Sequence, residues 1–224
     1  MSDTPSPSRW TEKHLVIAEA ATALFLRKGY QGTSMDDIAA EAAVSKQTVY
    51  KHFSDKYQLF AEIVLATTDQ AEGLVRMVSA ALDTTTDLRA DLGELARQFL
   101  NTLMRPELLR LRRLVITTAD QFPEIGRSWY ENGFERALGT LATHFAQLSG
   151  RGLMVVEDPT IAAHHFVGLL LWIPINRAML TGDETSKIND LENYADRAVE
   201  AFLRAYGSGQ TTPTPQQPAS ENSP

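Results

Sequence analysis

Side chains that can bind DNA cluster in one short segment of this chain, residues 33–53, which reads TSMDDIAAEAAVSKQTVYKHF. After Ser45 the segment carries two apolar residues, Val49 and Phe53, that lie four positions apart and share one face of a helix. The other face then presents the polar set Lys46, Gln47, Thr48, Tyr50 and Lys51. Because amide, hydroxyl and ammonium groups suit the hydrogen-bonding edges of bases, the segment predicts a helix that contacts DNA.

These side chains are expected to divide two tasks. Lys46 and Gln47 can hydrogen-bond base edges, and Thr48 suits either a thymine methyl group or a phosphate. Phosphate contacts are expected from Tyr50, Lys51, His52 and Lys56. The helix that begins after Thr33 and Ser34 can also direct free backbone N–H groups at a phosphate.

The distribution of charge agrees with this prediction, although the whole chain carries a net charge of −7. Between Arg9 and Lys56 there are seven Lys or Arg against six Asp or Glu, which leaves −8 for the rest. Residues 44–56 hold three lysines against the single carboxylate of Asp55. A small basic patch on an acidic body can steer DNA to one face of the protein.

Helix-capping residues surround the segment and set the elements that must position it. Thr11 can cap a first helix that ends at Gly29, with Leu15, Ala18, Ala21, Leu24 and Phe25 facing inward. Thr33 and Ser34 can cap a second helix, whose first turn holds Asp36 and Asp37. Ser45 caps a third helix over Lys46 to Phe53, and Ser54 or Asp55 caps a longer fourth one.

The remainder of the chain is predicted to be helical as well. Five further helices follow from Leu88, and Pro106, Pro123 and Pro159 suit the first turns of new ones. Pro174 falls inside an apolar helix, where a kink is expected. The only strand-like alternation is a weak one at Gly152 to Val156. We therefore predict an all-α fold: a disordered tail at 1–9, a helix-turn-helix head at 10–56, a helical body at 57–206 and a disordered tail at 207–224.

Several function classes find no support in the sequence. There is no cysteine, no Gly-rich phosphate loop, no G-x-S-x-G turn and no H-E-x-x-H helix, so we expect neither an enzyme nor a bound cofactor. His144, His164 and His165 lack partners at a metal-ligand spacing, and we expect core or interface histidines instead of a metal site. No apolar run reaches the length of a membrane span, and a cytoplasmic protein is expected.

The residues of the head resemble a known family. Those that carry the resemblance are Gly29-Tyr30, Thr33-Ser34, Ile38-Ala39, Ala42, Val44-Ser45, Val49-Tyr50, Phe53, Lys56 and Leu59-Phe60. Together they are similar to the signature of the TetR family of one-component regulators, over roughly the first quarter of the chain. The resemblance implies a three-helix DNA-binding head, a helical body with an effector pocket, and a homodimer formed largely by the last two body helices. Carried over by position, it implies DNA contacts by Thr33, Lys46, Gln47, Thr48, Tyr50, Lys51, His52 and Lys56.

Residues of the body, several of them aromatic or polar, are candidates for that pocket, although core filling is the default expectation for each aromatic. The predicted lining is Leu103, Leu108, Arg112, Thr117, Phe122, Trp129, Tyr130, Phe134, Phe166 and Asn176. A stripe at helical spacing, namely Ile161, His165, Gly168, Leu169 and Trp172, is predicted to form the dimer face.

The resulting hypothesis is a repressor that binds a palindromic operator in double-stranded DNA as a dimer. A small apolar or aromatic effector in the body would release it. An activator, or a DNA-binding factor without an effector, has the same fold and stays an open alternative.

Overall fold

The computed structural model describes residues 11–182 and 191–208, and every regular element within these two ranges is helical, which confirms the all-α prediction. The α-helices are α1 Glu12–Lys28, α2 Met35–Glu41, α3 Lys46–His52, α4 Lys56–Ser79, α5 Leu88–Leu103, α6 Pro106–Thr118, α7 Pro123–Ser128, α8 Arg136–Gly150, α9 Pro159–Thr181 and α10 Leu191–Tyr206. A 3₁₀ segment, Ala80–Thr84, follows α4, and a π-helical segment, Trp129–Glu135, joins α7 to α8.

The predicted caps begin and end the first helices. The Thr11 hydroxyl accepts the His14 N–H, and the Gly29 N–H donates to the Phe25 carbonyl with Gly29 in a positive φ of 74°. Ser34 and Asp37 form a reciprocal capping box on α2. Asp55 rather than Ser54 accepts the Gln58 N–H at the start of α4, at 2.8 Å.

The buried apolar residues of the described ranges form two cores. The first lies among α1, α2, α3 and the first half of α4, and it extends to Leu111, Leu114 and Val115 of α6 and Ile125 of α7. The second lies among α5, α8, α9 and α10. In this second core α8 packs against α9 and α4, and α10 packs against α5 and α9. Because α6 and α7 pack into the first core, the body is coupled directly to the head.

Some expectations need correction or lie outside the described residues. Leu15 is exposed, because the buried side of α1 centres on Ala21 and Leu15 points about a third of a turn away from it. Residues 152–156 form no strand: only an isolated bridge joins Met154 to Gly207. The tail predicted at 1–9 and all but the first two residues of the tail predicted at 207–224 lie outside the described ranges. Of the helices that are described, none combines the length and apolar content required to cross a membrane.

Candidate nucleic-acid interface and ligand cavity

One face of helix α3 is buried in the head, and the opposite face is exposed. Val49 and Phe53 are completely buried in the head core, as predicted. The Ser45 hydroxyl caps α3 by accepting the Thr48 N–H at 3.1 Å. The turn before it passes through Ala43 in a left-handed φ of 53°, and the Val44 N–H then donates to the Ala39 carbonyl. This turn fixes the direction of α3 relative to α2.

Four of the predicted DNA contacts project from the exposed face of α3. They are Lys46, Gln47, Tyr50 and Lys51. The Lys46 ammonium lies 2.7 Å from a carboxylate oxygen of Asp36, and this hydrogen bond raises the pKa of Lys46. Since both partners are exposed, the pair is weak, and a phosphate can compete for the lysine. Thr48 is half-buried, and its hydroxyl shares a hydrogen bond of 2.8 Å with Ser45.

The side chains of Thr33 and Lys56 point into the head rather than toward the exposed face of α3. The Thr33 hydroxyl is buried and donates to the Gly29 carbonyl at 2.9 Å. The Lys56 ammonium donates to the carbonyls of Tyr30 and Thr33 at 2.8 and 2.7 Å, and burial lowers the pKa of Lys56. In this structure both residues therefore stabilise the loop between α1 and α2, and neither offers its side chain to a phosphate.

Ser34 and His52 are also engaged by neighbouring residues. The Ser34 N–H and hydroxyl both donate to the Asp37 carboxylate, and the bond from the hydroxyl lowers the pKa of Asp37. His52 is half-buried with its ring 5.5 Å from that of His14. Burial, followed by the nearby His14, lowers the pKa of His52, so its ring is mostly neutral at pH 7. A neutral imidazole contacts a phosphate by a hydrogen bond and without a full charge.

A buried link between α1 and α4 was missed by sequence reasoning. His14 Nε2 lies 3.0 Å from a carboxylate oxygen of Glu62, which is buried. The His14 ring also packs 4.1 Å from the ring of Phe53, at the end of α3. No periodicity reports this contact, because its residues are distant in the chain.

The head meets the body through an aromatic cluster around Phe122. Its ring lies 4.9 Å from that of Tyr30 and 5.2 Å from that of Tyr57. Gln31 donates to Gln121 at 2.5 Å beside this cluster. Burial raises the pKa of Tyr57 to about 12, and a hydrogen bond with Glu124 adds to the shift. A movement of the loop between α6 and α7 would therefore displace the packing of Phe122 against Tyr30 and Tyr57 in the head.

An apolar cavity lies in the body between α4, α5, α6, α8, α9 and the π-helical segment. The free volume of this cavity is about 80 Å³. Five of the ten predicted lining residues contact it: Leu103, Leu108, Arg112, Trp129 and Phe134. Lining residues that the sequence did not indicate include Thr67 and Thr68 of α4 and Gly133. The π-helical segment contributes Trp129, Gly133 and Phe134, and such segments are frequent at functional sites.

A wider groove adjoins the cavity along α9. It shares Arg112 and Phe134 with the cavity, and it is lined further by the predicted residues Tyr130 and Asn176. Its volume is about 490 Å³. Gly168 and Trp172 of the predicted dimer face also line this groove.

Three of the predicted pocket residues lie elsewhere. Phe122 belongs to the head–body cluster described above. Phe166 is fully buried in the second core, with its ring 5.1 Å from that of Phe202. Thr117 is exposed and its hydroxyl donates to the Leu114 carbonyl. These three residues fill the core, join the two parts or face outward, and they do not line the cavity.

One face of α9 is apolar and exposed. Ile161, Leu169 and Trp172 are 44%, 40% and 68% exposed, and Gly168 lies between them. His165, on the same face, hydrogen-bonds the Tyr206 hydroxyl of α10 at 2.5 Å.

His144 lies 2.6 Å from Asp83. Within the described ranges no group of three or more side chains is placed to hold a metal ion.

Known proteins match both parts of the chain. Residues 17–63 match the family of bacterial regulatory proteins, tetR family. Residues 90–208 match the C-terminal domain of AefR-like transcriptional repressors. Among curated proteins, the transcriptional activator FasR of Mycolicibacterium smegmatis is 40% identical over 80 residues, 36% of this chain. That match spans only 35% of FasR.

Solved structures match over most of the chain. A TetR-family transcriptional regulator from Mesorhizobium loti is 47% identical, with a TM-score of 0.83 over 92% of this chain and 100% of that one. The flavonoid-responsive regulator FrrA is 27% identical, with a TM-score of 0.68 over 88% of this chain and 98% of its own. The agreement of head, body and whole fold leads to one assignment: the chain belongs to the TetR family, whose members are transcriptional regulators and not enzymes.

Proposed function

We propose that this chain is a repressor that binds a palindromic operator as a homodimer and is released when a small apolar or aromatic molecule occupies the body. The observation that carries the proposal is the geometry of α3. Its apolar face is fully buried, while Lys46, Gln47, Tyr50 and Lys51 project from the opposite side. The match to AefR-like repressors over the body supports repression.

Within this proposal, Gln47 and Lys46 read base edges and Tyr50 and Lys51 bind phosphates. A planar amide is suited to paired hydrogen bonds with adenine, whereas a phenol and an ammonium bind the backbone without regard to sequence. Thr33, Ser34, His52 and Lys56 then act on DNA indirectly, since each is engaged within the head. Their task is to hold α2 and α3 in place.

The exposed face of α9 supports dimerisation. Its apolar residues, Ile161, Leu169 and Trp172, would be costly to leave in water, and a second copy would bury them. A twofold dimer presents two α3 helices that are related by the same symmetry as the two half-sites of a palindrome. Half-site centres about 34–36 Å apart, or one turn further, are then expected.

The cavity supports control by a ligand. Its free space of about 80 Å³ is small beside pockets for drug-sized molecules, so a ligand of two rings must widen it. The walls that would move are α4, which enters the head, and the π-helical segment, which follows the Phe122 cluster. A ligand that favours the widened shape by about 1–3 kcal/mol would weaken DNA binding about 5- to 150-fold.

An activator is the second candidate, because this chain is 40% identical over 80 residues to the activator FasR. The contacts of α3 are the same in either case, since the sign of regulation depends on where the operator lies relative to the promoter. We would therefore measure expression from the chain's own upstream region in cells with and without the protein. Higher expression without the protein supports repression, and lower expression supports activation.

Binding itself is tested by fluorescence anisotropy with DNA from immediately upstream of the gene, at two salt concentrations. Saturable binding that outcompetes random DNA and weakens steeply with salt is expected. Equal affinity for the upstream DNA and random DNA, repeated with a library-selected sequence, would contradict the proposal.

A further inference from the structure

Arg112 is an unusual residue for the wall of the cavity. Of the described residues that line this space, Arg112 alone is charged. Phe99, Trp129, Phe134, Leu171 and Ile175 line the same space and give it apolar walls. A guanidinium carries five N–H donors and is costly to withdraw from water unless they are paired.

The neighbouring arginines have partners, whereas Arg112 lacks one. Arg113 donates to the Ala178 carbonyl at 2.9 Å. Within residues 11–182 and 191–208, the Arg112 side chain makes neither a hydrogen bond nor an ion pair. Its burial lowers the pKa of Arg112, as expected for a cation taken from water without an anion beside it. The Arg112 side chain is half-buried, and its positive charge lies at the edge of an apolar space without an anion from the described residues beside it.

The position of Arg112 defines how a ligand would lie. Arg112 lines both the enclosed cavity and the open groove along α9, so it stands where the two spaces meet. The inner walls are aromatic and aliphatic, and the Thr67 and Thr68 hydroxyls already donate to carbonyls of their own helix. A ligand is thus offered an apolar interior and one cationic anchor at the opening.

We propose that the effector is an aromatic carboxylic acid whose ring system enters the cavity while its carboxylate pairs with the Arg112 guanidinium. The planar fork of arginine matches the two oxygens of a carboxylate, which makes this group a better partner than a single anionic oxygen. The ring lies among Phe99, Trp129 and Phe134. This inference deepens the proposed function, on which it rests for the view that the cavity is the effector site.

The test uses two probes of the same shape, 2-naphthoate and 2-naphthamide, measured by isothermal titration calorimetry on the full chain without DNA. The wild-type protein is expected to bind the acid at least tenfold more tightly than the amide. The Arg112→Met variant keeps the length and apolar stem of the side chain, and it should bring the two affinities within about twofold of each other. Arg112→Lys, which keeps a charge but not the fork, should retain an intermediate preference.

Arg105→Gln serves as the matched control. Arg105 precedes α6, the helix that carries Arg112, and it is exposed and outside the cavity, so the preference for the acid should be unchanged. If wild-type protein binds acid and amide equally, or if Arg112→Met keeps the full preference, the proposal is overturned and Arg112 only extends its charge into groove water. If Arg112→Met does not fold, the wild-type ratio and Arg112→Lys still decide.

The outcome can be separated from that of the proposed function. Selective binding of 2-naphthoate without any effect on operator affinity would support the carboxylate site and contradict effector control through it. Release of the operator by 2-naphthamide as effective as that by 2-naphthoate would keep effector control and overturn the carboxylate assignment.

Discussion

The Lys56 ammonium lies 4.3 Å above the centre of the Tyr30 ring and donates to the carbonyl of the same tyrosine at 2.8 Å. A second bond, to the Thr33 carbonyl, ties the start of α4 to the loop between α1 and α2. Tyr30 in turn packs against Phe122 of the body. One lysine at the base of the head therefore holds the loop that precedes the helix-turn-helix.

Lys56→Met is expected to destabilise the head by about 1–3 kcal/mol, because two partly buried carbonyls lose their donor. For a chain of this size that corresponds to a melting temperature lower by about 2–4 °C per kcal/mol. Lys51→Met, on the exposed face of α3, is the matched control and should leave the melting temperature unchanged. Equal thermal stability of both variants by circular dichroism would refute the role of Lys56.

Gln47→Ala is expected to relax the preference at one or two base pairs by about 1–3 kcal/mol each, because the exposed Gln47 amide is the group proposed to hydrogen-bond base edges. Lys51→Ala should instead weaken binding to all sequences alike and reduce the salt dependence by about one ion. Both are measured by anisotropy against a panel of single-base operator variants. An unaltered preference profile for Gln47→Ala would exclude that residue from base recognition.

Acid should destabilise the head through His52. Its pKa is lower in the folded protein than the value of 6.5 expected for the unfolded chain, so protons bind more readily after unfolding. This contribution is complete above about pH 6.5 and is lost as the pH falls below that value. The melting temperature should therefore drop less between about pH 7.5 and 5.5 in His52→Gln than in the wild type. A drop of the same size in both proteins would rule out His52 as a source of the pH dependence.

Gly133 of the π-helical segment and Gly139 of α8 should respond differently to replacement by alanine. A Cβ added at Gly133 would lie 3.0 Å from Thr68 Cγ2, on the cavity wall, so Gly133→Ala must displace Thr68 and should not stabilise the protein. No described atom lies within 4 Å of a Cβ at Gly139, so Gly139→Ala should stabilise α8 by about 0.5–1 kcal/mol. Thermal melts compare the two, and Thr68→Ser should rescue Gly133→Ala. Equal stabilisation by both substitutions would show that Gly133 is not constrained by Thr68.

Trp172→Asp tests the proposed dimer face. Because the Trp172 side chain is 68% exposed, the substitution should not unfold the protomer, but a charge at this point of α9 would oppose burial against a second copy. Sedimentation velocity should then show a monomer with wild-type helical content. Glu107, which is exposed on α6, offers Glu107→Gln as a control that should remain dimeric. A dimer that survives Trp172→Asp would place the interface elsewhere.

The local features of the head could be predicted from the sequence because they depend on neighbours within one helical turn. The caps at Thr11, Ser34 and Ser45 and the inward positions Val49 and Phe53 follow from the spacing of residue types. The helical class of the body follows in the same way, and so do the prolines that begin α6, α7 and α9. Resemblance to the TetR family added the expectation of a pocket and a dimer.

Only the tertiary structure could decide which of these side chains are available to bind. Lys56 carries a charge that suits a phosphate. Its ammonium instead donates to the Tyr30 and Thr33 carbonyls in the loop between α1 and α2. Phe122, Phe166 and Trp129 are all aromatic, but they lie in the head–body cluster, the second core and the cavity respectively. Periodicity states which side of a helix is apolar, whereas the partner on that side comes from a distant part of the chain. The place of Arg112, between an apolar cavity and an open groove, was determined by that same long-range packing.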